Sequence, residues 1–256
     1  MTAWLNGKLV TEAAISPEDR GFTLGDGLFE TIRVARGTAC HLDRHWRRLR
    51  AGAARLGITL DHDDAALSAA VAQLAGGDAV VRVTLTRGPA PRGLLPPDRT
   101  QPTLLITAVP LPPPLPPARL IVARTTRRNE FSPLARIKSL NYLDSILARQ
   151  EAAARGADDA LLLNSQSRVA EATAANLFLL IDGQALTPPV TDGALPGIRR
   201  EILLERGILR ERSLTLADLD RAEEMMLGNS LSLRPVIAVE GRELPLPQKL
   251  AALFGD

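Results

Sequence analysis

The feature that most constrains this fold is a run of prolines near the middle of the chain, Pro110-Leu111-Pro112-Pro113-Pro114-Leu115-Pro116-Pro117. Proline lacks a backbone N–H and restricts φ, so such a run enters neither a helix interior nor a central strand. It favours a stiff, extended connector. A recognition peptide for a proline-binding domain is the alternative interpretation. We therefore expect two lobes, residues 1–109 and 118–256, joined by a linker at 110–117.

The first lobe combines helical and strand patterns. Asn6-Gly7 supplies the two positive φ values of a type I′ turn and predicts a hairpin over 4–10. Apolar residues at a four-three spacing predict an amphipathic helix over 42–56. A second helix is expected at 63–75, and β-branched or apolar runs predict strands at 79–86 and 103–109. The small N-terminal lobe is therefore expected to be α+β.

The second lobe alternates strands with helices and is expected to be a larger α/β lobe. Proline at a first-turn position indicates a helix starting at Pro196. The other expected elements are a strand at 119–124, a helix from about Leu140 to Ala154, strands at 159–164 and 175–181 around a turn at Asn164–Ser167, and strands near 223–228 and 234–239.

Composition narrows the class of protein. Hydrophobic residues make up 45% of the chain, enough for a buried core, and the net charge of +2 predicts no strong attraction to nucleic acid or membranes. No apolar run reaches the ~20 residues that span a bilayer, and the N-terminal sequence lacks a secretion signal. With Cys40 as the single cysteine, a disulfide framework is excluded. We expect a cytoplasmic protein.

Two sets of residues are candidates for metal or nucleophile chemistry. His41 and His45 stand four apart on the expected helix, but no obvious third ligand accompanies them, so we predict no metal site. Lys138 is one of only three lysines and lies between Ile137 and Leu140. Partial desolvation there would present its amine as a nucleophile for Schiff-base chemistry. A lysine extending to solvent at a helix start is the structural alternative.

Two further segments suit a phosphorylated aromatic cofactor. Glu171 is a lone carboxylate among small apolar residues, and a protonated pyridine nitrogen is one possible partner. Gly197 precedes a predicted helix, whose first N–H groups and dipole suit a phosphate. An amine, a carboxylate and a phosphate cradle together describe a pyridoxal phosphate site.

The chain resembles the class IV, fold-type IV pyridoxal-phosphate enzymes, which comprise branched-chain aminotransferases, D-amino-acid aminotransferases and 4-amino-4-deoxychorismate lyases. The similarity covers nearly the whole chain in order. It is carried by the segments Asp19-Arg20-Gly21-Phe22, Gly25-Asp26-Gly27-Leu28-Phe29-Glu30-Thr31-Ile32-Arg33, His41-Leu42-Asp43-Arg44, Lys138-Ser139-Leu140-Asn141-Tyr142, and those around Glu171 and Gly197.

The resemblance implies a role for each matching residue. Lys138 matches the Schiff-base lysine, Glu171 the partner of the pyridine nitrogen, and Arg44 a phosphate ligand. The phosphate cup would be formed by Gly197, Ile198, Asn229 and Ser230. The chain departs from the family at Arg199, where threonine is frequent, so a hydroxyl contact to the phosphate is not implied there. The family fold also implies pyridoxal 5′-phosphate between two lobes and a homodimer that completes each site.

Within the family, the chain is most similar to the lyases. Branched-chain enzymes typically read Phe-Glu-Gly, and D-amino-acid enzymes Tyr-Glu-Val, where this chain has Phe29-Glu30-Thr31. In the lyases that threonine hydroxyl protonates the leaving group. The segment from Gly228 to Val236 and the paired arginines Arg87 and Arg92 also resemble the lyase pattern, although Leu94 replaces the usual aromatic. Thr31 as a simple strand residue and the arginines as solvated loop charges are the structural alternatives.

The implied reaction converts 4-amino-4-deoxychorismate to 4-aminobenzoate and pyruvate, a step towards folate precursors. Phe29, Arg87 and Arg92 would contact the substrate, and Lys138 and Thr31 would move protons. Two other functions remain open at this point. A class IV aminotransferase acting on D-amino or branched-chain amino acids uses the same lysine, and a cofactor-binding protein without turnover would keep the same fold.

Overall fold

The computed structural model describes residues 2–255. The chain forms two compact units. The first runs to Pro113 and also includes Ile137–Asn141, whereas the second comprises Pro114–Arg136 and continues from Tyr142. The change of unit therefore falls inside the proline-rich run. The segment 137–141, which the sequence analysis assigned to the second lobe, groups with the first unit instead.

The first unit is built on a six-stranded sheet in which every neighbouring pair is antiparallel. Its order is β2-β1-β6-β5-β3-β4. Asn6 and Gly7 join the first two strands with φ values of 45° and 91°, which confirms the predicted hairpin turn. The strands are β1 (Ala3–Leu5), β2 (Lys8–Val10), β3 (Gly27–Ala35), β4 (Thr38–Ala39), β5 (Ala79–Thr86) and β6 (Thr103–Pro110).

Three helices accompany this sheet: α1 (Arg20–Leu24), α2 (Leu42–Leu56) and α3 (Asp64–Leu74). Both longer helices agree with the sequence prediction. Helix α2 ends at Gly57, whose φ of 63° lies in the left-handed region that favours glycine at a helix terminus.

Helix α2 covers one face of strand β3. Trp46 and Leu49 of the helix share a hydrophobic cluster with Leu28 and Ile32 of the strand, and the side chain of Leu28 approaches the helix at Gly52. Because side chains alternate along a strand, the odd-numbered residues of β3 face away from α2. The odd-numbered face of β3 carries Phe29, Thr31 and Arg33.

The short segment around Lys138 extends this sheet beside β3. The Phe29 N–H donates to the Lys138 carbonyl at 2.9 Å, and the Leu140 N–H donates to the Gly27 carbonyl at 3.0 Å. This strand-like pairing was not predicted. Because it engages residues as far as Leu140, the following helix begins at Leu143 and not at Leu140 as expected.

The second unit contains a nine-stranded mixed sheet. Its order is β12-β11-β10-β13-β14-β7-β8-β9, with β15 paired to β14. The three adjacent strands β14, β7 and β8 run parallel. The strands are β7 (Ala118–Val122), β8 (Asp159–Leu163), β9 (Val169–Ala172), β10 (Asn176–Ile181), β11 (Gln184–Thr187), β12 (Arg210–Glu211), β13 (Glu224–Gly228), β14 (Leu233–Val239) and β15 (Arg242–Glu243).

The helices of the second unit are α4 (Leu143–Ala154), α5 (Ile198–Glu205), α6 (Leu216–Arg221) and α7 (Gln248–Phe254). The predicted strands and the helix after Pro196 are present. The sequence analysis missed the short strands β11, β12 and β15, and it also missed β9. This strand is only four residues long and buried throughout, so it shows no polar–apolar alternation. It carries Glu171.

Candidate active site

The amine of Lys138 lies on the odd-numbered face of β3. Its Nζ is 4.3 Å from the centroid of the Phe29 ring. The backbone pairing explains this contact, because residues opposite each other in an antiparallel pair project to the same face. A cation over an aromatic ring is stabilised by about 0.5–1 kcal/mol at exposed sites and by more when desolvated. The ring therefore gives the amine a defined position in the first unit.

Thr31 is on the same face, two residues beyond Phe29, and is half-buried. Strand β5 places Arg82 directly opposite Thr31, and the Arg82 guanidinium carbon lies 4.0 Å from the centroid of the Phe29 ring. An amine, a hydroxyl and an exposed guanidinium thus share one face of the sheet. The sequence analysis missed Arg82, because alternation within β5 cannot show which residue of β3 it faces.

On the opposite face of β3, Glu30 anchors the strand to α2. The carboxylate is buried and accepts hydrogen bonds from Arg48 at 2.6 and 2.8 Å, and it lies 2.7 Å from Nδ1 of His45. Burial raises the pKa of the Glu30 carboxyl, but the hydrogen bonds and charges of Arg48 and then of His45 bring it below its ordinary value. Because Thr31 directly follows Glu30 in β3, these contacts also help to fix the backbone position of Thr31.

The structure separates the two histidines of the same helix. His45 is buried against Glu30, whereas His41 is exposed at the start of the helix with a φ of 53°. Within residues 2–255, no group of three or more His, Cys, Asp or Glu side chains is arranged to hold a metal. Arg44, the expected phosphate ligand, lies between His41 and His45 in the first turn of α2 and is half-buried.

Arg87 is buried in a network of the first unit. Its guanidinium donates to the Asp26 carboxylate at 2.7 and 3.1 Å and to the carbonyls of Leu56 and Gly57 at 2.7 and 3.0 Å. Arg87 and Arg20 together lower the pKa of the Asp26 carboxyl, against the opposing effect of burial. These contacts correct the interpretation of Arg87 as a solvated loop charge and support a structural role.

The second expected substrate arginine, Arg92, is exposed in the loop after β5. Arg20 holds this loop, because its guanidinium donates to the carbonyls of Gly93 and Leu94 at 2.7 and 2.8 Å. Arg20 also pairs with Asp26 at 2.8 Å. Through Arg20, the loop that carries Arg92 is therefore connected to Asp26, which is also the carboxylate that Arg87 binds.

In the second unit, both oxygens of the Glu171 carboxylate have defined donors. Arg128 lies 3.1 Å from Oε1, and the Leu195 N–H donates to Oε2 at 2.9 Å. Arg128 is in turn held by the carbonyls of Ala135 and Gly193. The carboxylate is thus fixed in orientation beside the segment that leads into helix α5. Neither Arg128 nor Leu195 was identified from the sequence.

Helix α5 begins after Gly197, which supplies no side-chain cap. A Cβ at Gly197 would lie 2.0 Å from Oδ1 of Asn176, so a side chain there would displace the Asn176 amide. Asn176 itself donates to the Leu195 carbonyl at 2.9 Å, which positions this turn. A helix start without a side-chain cap can direct its first N–H groups, including that of Ile198, to an anion.

Asn229 shapes the turn after strand β13. Its Oδ1 accepts the N–H groups of Leu231 and Ser232 at 2.9 and 3.2 Å. Arg199 of helix α5 donates through Nε to the Asn229 carbonyl at 3.3 Å. Arg199 therefore links the start of the helix to the turn that contains Ser230, a contact that threonine at this position could not span.

Each unit, taken by itself, carries groups that suit one part of pyridoxal 5′-phosphate. The first unit offers the primary amine of Lys138 and the guanidinium of Arg44. The second offers the oriented Glu171 carboxylate, suited to a pyridine N–H, and a helix start at Gly197 suited to a phosphate.

The chain is similar to known proteins over most of its length. Residues 27–239 match the family model Amino-transferase class IV. A protein of Methanocaldococcus jannaschii, named as a candidate branched-chain-amino-acid aminotransferase, is 36% identical over 100% of this chain and 96% of its own. The D-alanine aminotransferase of Bacillus licheniformis is 30% identical over 95% of this chain and 90% of its own.

A solved structure of similar sequence belongs to a different branch of the family. The 4-amino-4-deoxychorismate lyase of Pseudomonas aeruginosa superposes with a TM-score of 0.86 and 35% identity, covering 98% of this chain and 96% of that one. These similarities confirm the fold-type IV architecture expected from the sequence.

Among the described residues, none of the helices combines the length and apolar character needed to span a bilayer.

Proposed function

This chain belongs to the class IV aminotransferase family, whose members depend on pyridoxal 5′-phosphate, and within it we propose that the protein is a lyase that converts 4-amino-4-deoxychorismate to 4-aminobenzoate and pyruvate. The observation that carries this proposal is the position of Thr31. Its strand face is the one that carries Phe29, against whose ring the Lys138 amine lies. Elimination requires an acid for the departing oxygen, and a hydroxyl on this face can supply it.

Each step of the proposed reaction uses a residue of this chain. When bound, pyridoxal phosphate supplies an electron sink for the carbon that bears the substrate amine. Lys138 removes the proton from that carbon. Thr31 donates a proton to the enolpyruvyl ether oxygen as the carbon–oxygen bond breaks. The ring of the remaining substrate becomes aromatic, and the enol of pyruvate leaves and tautomerises.

Other residues would bind the cofactor and orient it. Glu171 would accept the hydrogen of the pyridine nitrogen, with Arg128 and the Leu195 N–H keeping its carboxylate in place. Arg44 and the backbone of Gly197 and Ile198 would hold the phosphate. The turn at Asn229 and Ser230 would close the phosphate site, with Arg199 supporting that turn through its bond to the Asn229 carbonyl.

For the substrate, the proposal places Phe29 and Arg92 in contact with it and adds Arg82, which lies opposite Thr31. A guanidinium there suits one of the two substrate carboxylates. Arg87 would have to leave the Asp26 carboxylate to bind substrate directly. We therefore assign Arg87 to the support of this region.

A class IV aminotransferase is the second candidate, and the names of the sequence relatives favour it. In that reaction Lys138 would return the proton to the cofactor, and no acid would be needed for a leaving oxygen. Lys138, Glu171 and Gly197 would have the same roles in both reactions. Thr31 is the feature that favours the lyase.

Parallel assays distinguish the two candidates. The purified holoenzyme is incubated with 4-amino-4-deoxychorismate, and separately with pairs of D-amino or branched-chain amino acids and keto acids. The lyase proposal predicts equal amounts of 4-aminobenzoate and pyruvate in the first assay. Amino exchange in the second assay, without 4-aminobenzoate in the first, would establish the aminotransferase instead.

We also propose that two copies of the chain associate. Helix α4 exposes Leu143, Ile146 and Leu147, whose exposed fractions are 74%, 48% and 49%. Their spacing puts them on one face of the helix, and a contiguous exposed apolar face is typical of an interface. Ile146→Glu should shift the molecular mass measured by light scattering from dimer to monomer. Gln166→Glu, which alters an exposed glutamine in the turn after β8 and away from this helix face, should not.

A further inference from the structure

A cavity of about 400 Å³ lies entirely within the second unit and contains none of the residues assigned to the reaction. Strands β7, β8 and β14 each end at it, with Val122, Leu163 and Val239 as their last residues. These three strands are adjacent and parallel. Their carboxyl ends therefore open together at one edge of the sheet, which is the position where α/β sheets bind ligands.

Helix α6 contributes to the wall of the cavity. Leu216 and Leu219 of this helix line the cavity together with the three terminal strand residues. Leu219 is almost fully buried, and Leu216 is 45% exposed. The floor is therefore aliphatic and suits an apolar group, while one side is open to an entering molecule.

Three arginines line the same cavity: Arg124, Arg127 and Arg242. Arg127 donates through Nη1 to the carbonyls of Ala123 and Thr126, and Arg242 donates through Nη2 to the carbonyls of Leu219 and Ala222. These contacts involve carbonyls only, so within residues 2–255 neither guanidinium group is paired with a carboxylate. Their remaining N–H groups can receive an anion.

The two acidic residues of the cavity do not cancel this charge. Glu240 accepts the Val122 N–H at 2.8 Å and pairs with Arg155 at 2.6 Å. Although burial opposes it, these contacts and the charges of Arg155 and Arg124 lower the pKa of the Glu240 carboxyl, so it stays an anion. Because Glu240 also interacts with Arg124, Asp220 is left against Arg127 and Arg242, and the cavity keeps a positive balance.

From the aliphatic floor, the arginines and the position at the strand ends, we propose that this cavity is a second ligand site, which binds a small carboxylic acid with an apolar body. The carboxylate pairs with the guanidinium groups in the planar, bidentate manner that arginine favours. The apolar body covers the residues contributed by the strand ends and by helix α6. The volume lies within the range of small-molecule sites, ~300–1,000 Å³.

Binding of two acids to the holoenzyme tests this proposal. Benzoate and 4-methylpentanoate carry an aromatic and a branched aliphatic body, and their primary amides are neutral controls of nearly the same shape. Ligand-observed NMR titrations should show saturable binding of at least one acid and much weaker binding of its amide. Equal binding of acid and amide, or no saturable binding of either acid, would overturn the proposal.

Variants locate the binding in this cavity. Arg127→Gln should weaken binding of the acid about ten- to a hundredfold, the effect of one charge-assisted contact. Leu216→Glu places a negative charge at the open side and should weaken it comparably. Arg221→Gln is the matched control, because Arg221 belongs to the same helix but pairs with Asp182 outside the cavity. If both cavity variants fold with unchanged urea midpoints and bind the acid as the wild type does, the acid is bound elsewhere.

Discussion

Lys138 and Phe29 are joined twice. The Phe29 N–H donates to the Lys138 carbonyl at 2.9 Å, and the Lys138 Nζ lies 4.3 Å from the centroid of the Phe29 ring. The backbone bond sets the register of the two segments, and the ring contact gives the amine its direction. Since side chains alternate along a strand, the Thr31 hydroxyl lies on the same face of β3 as the Phe29 ring and the Lys138 amine.

The first prediction concerns Lys138. Lys138→Ala should abolish the covalent link between protein and cofactor that borohydride reduction traps, because it removes the proposed amine. Lys249→Ala is the control, since Lys249 is exposed and pairs with Glu223. Mass spectrometry of the reduced protein is the measurement. A reduced adduct on Lys8 or Lys249 of the wild type would disprove the assignment.

The second prediction concerns Thr31. Thr31→Val is nearly isosteric but lacks the proposed acid, and a positioned general acid contributes about 10²–10⁴-fold to a rate. Release of 4-aminobenzoate should therefore fall by about that factor while the bound cofactor keeps its absorbance. Thr31→Ser, which keeps a hydroxyl, should recover most of the rate.

Thr107→Val is the matched control for this strand face. Thr107 pairs with Arg82 on the far side from Thr31, so its loss should leave the rate nearly unchanged. Full lyase turnover by Thr31→Val would instead identify another proton donor, such as water.

The third prediction concerns the phosphate site. Gly197→Ala introduces a Cβ 2.0 Å from Oδ1 of Asn176, and Asn176 is buried and bonded to the Leu195 carbonyl, so it cannot easily move. Overpacking of this kind costs about 1–3 kcal/mol. We expect the dissociation constant of pyridoxal phosphate, measured by equilibrium dialysis, to rise about five- to a hundredfold.

Gly76→Ala is the control for that measurement, because a Cβ at Gly76 meets nothing within 4 Å. It should leave cofactor affinity unchanged. Equal affinities for wild type and Gly197→Ala would mean that the turn at Gly197 does not hold the phosphate.

The fourth prediction concerns pH and Glu30. Its carboxyl has a lower pKa in the folded protein than its ordinary value of 4.5, through Arg48 and His45. The carboxylate therefore stabilises the fold fully above pH 4.5, and this contribution is lost as the pH falls through the folded-state pKa. At pH 7, Glu30→Gln should lower the free energy of unfolding by about 1.5–3 kcal/mol.

That difference between wild type and Glu30→Gln should shrink as urea unfolding is repeated at successively lower pH below 4.5. Glu12→Gln alters an exposed carboxyl and should match the wild type throughout. A difference that is independent of pH would show that packing, and not the charge of Glu30, accounts for the loss.

The local elements were largely predictable because their signals lie within short stretches of sequence. Asn6-Gly7 determines a hairpin turn through its own φ preferences. The apolar spacing of α2 predicts which of its residues are buried, and Trp46 and Leu49 are indeed in the core. Strand β9 was missed because four buried residues carry no periodicity.

The functional residues also divide into those that the sequence makes visible and those that only the structure identifies. Lys138, Glu171 and Gly197 stood out because a rare lysine, an isolated carboxylate and a glycine at a helix start are visible in one dimension. Arg82 and Arg128 did not stand out in a chain with many arginines. Only the register of β5 on β3 and the approach of Arg128 to Glu171 distinguish them from surface charge.

The sequence alone therefore determined the family, the two-part organisation and the residue types of the reaction, since turn preferences, periodicity and motif order are local properties. The tertiary structure decided that the Lys138 segment pairs with β3, that Glu30 is matched by Arg48 and His45, and that the ends of three parallel strands line a cavity. The Lys138 and Phe29 segments are separated by over a hundred residues. No local preference specifies such a pairing, because it forms only when burial of the two faces compensates the entropy of closing the long loop between them.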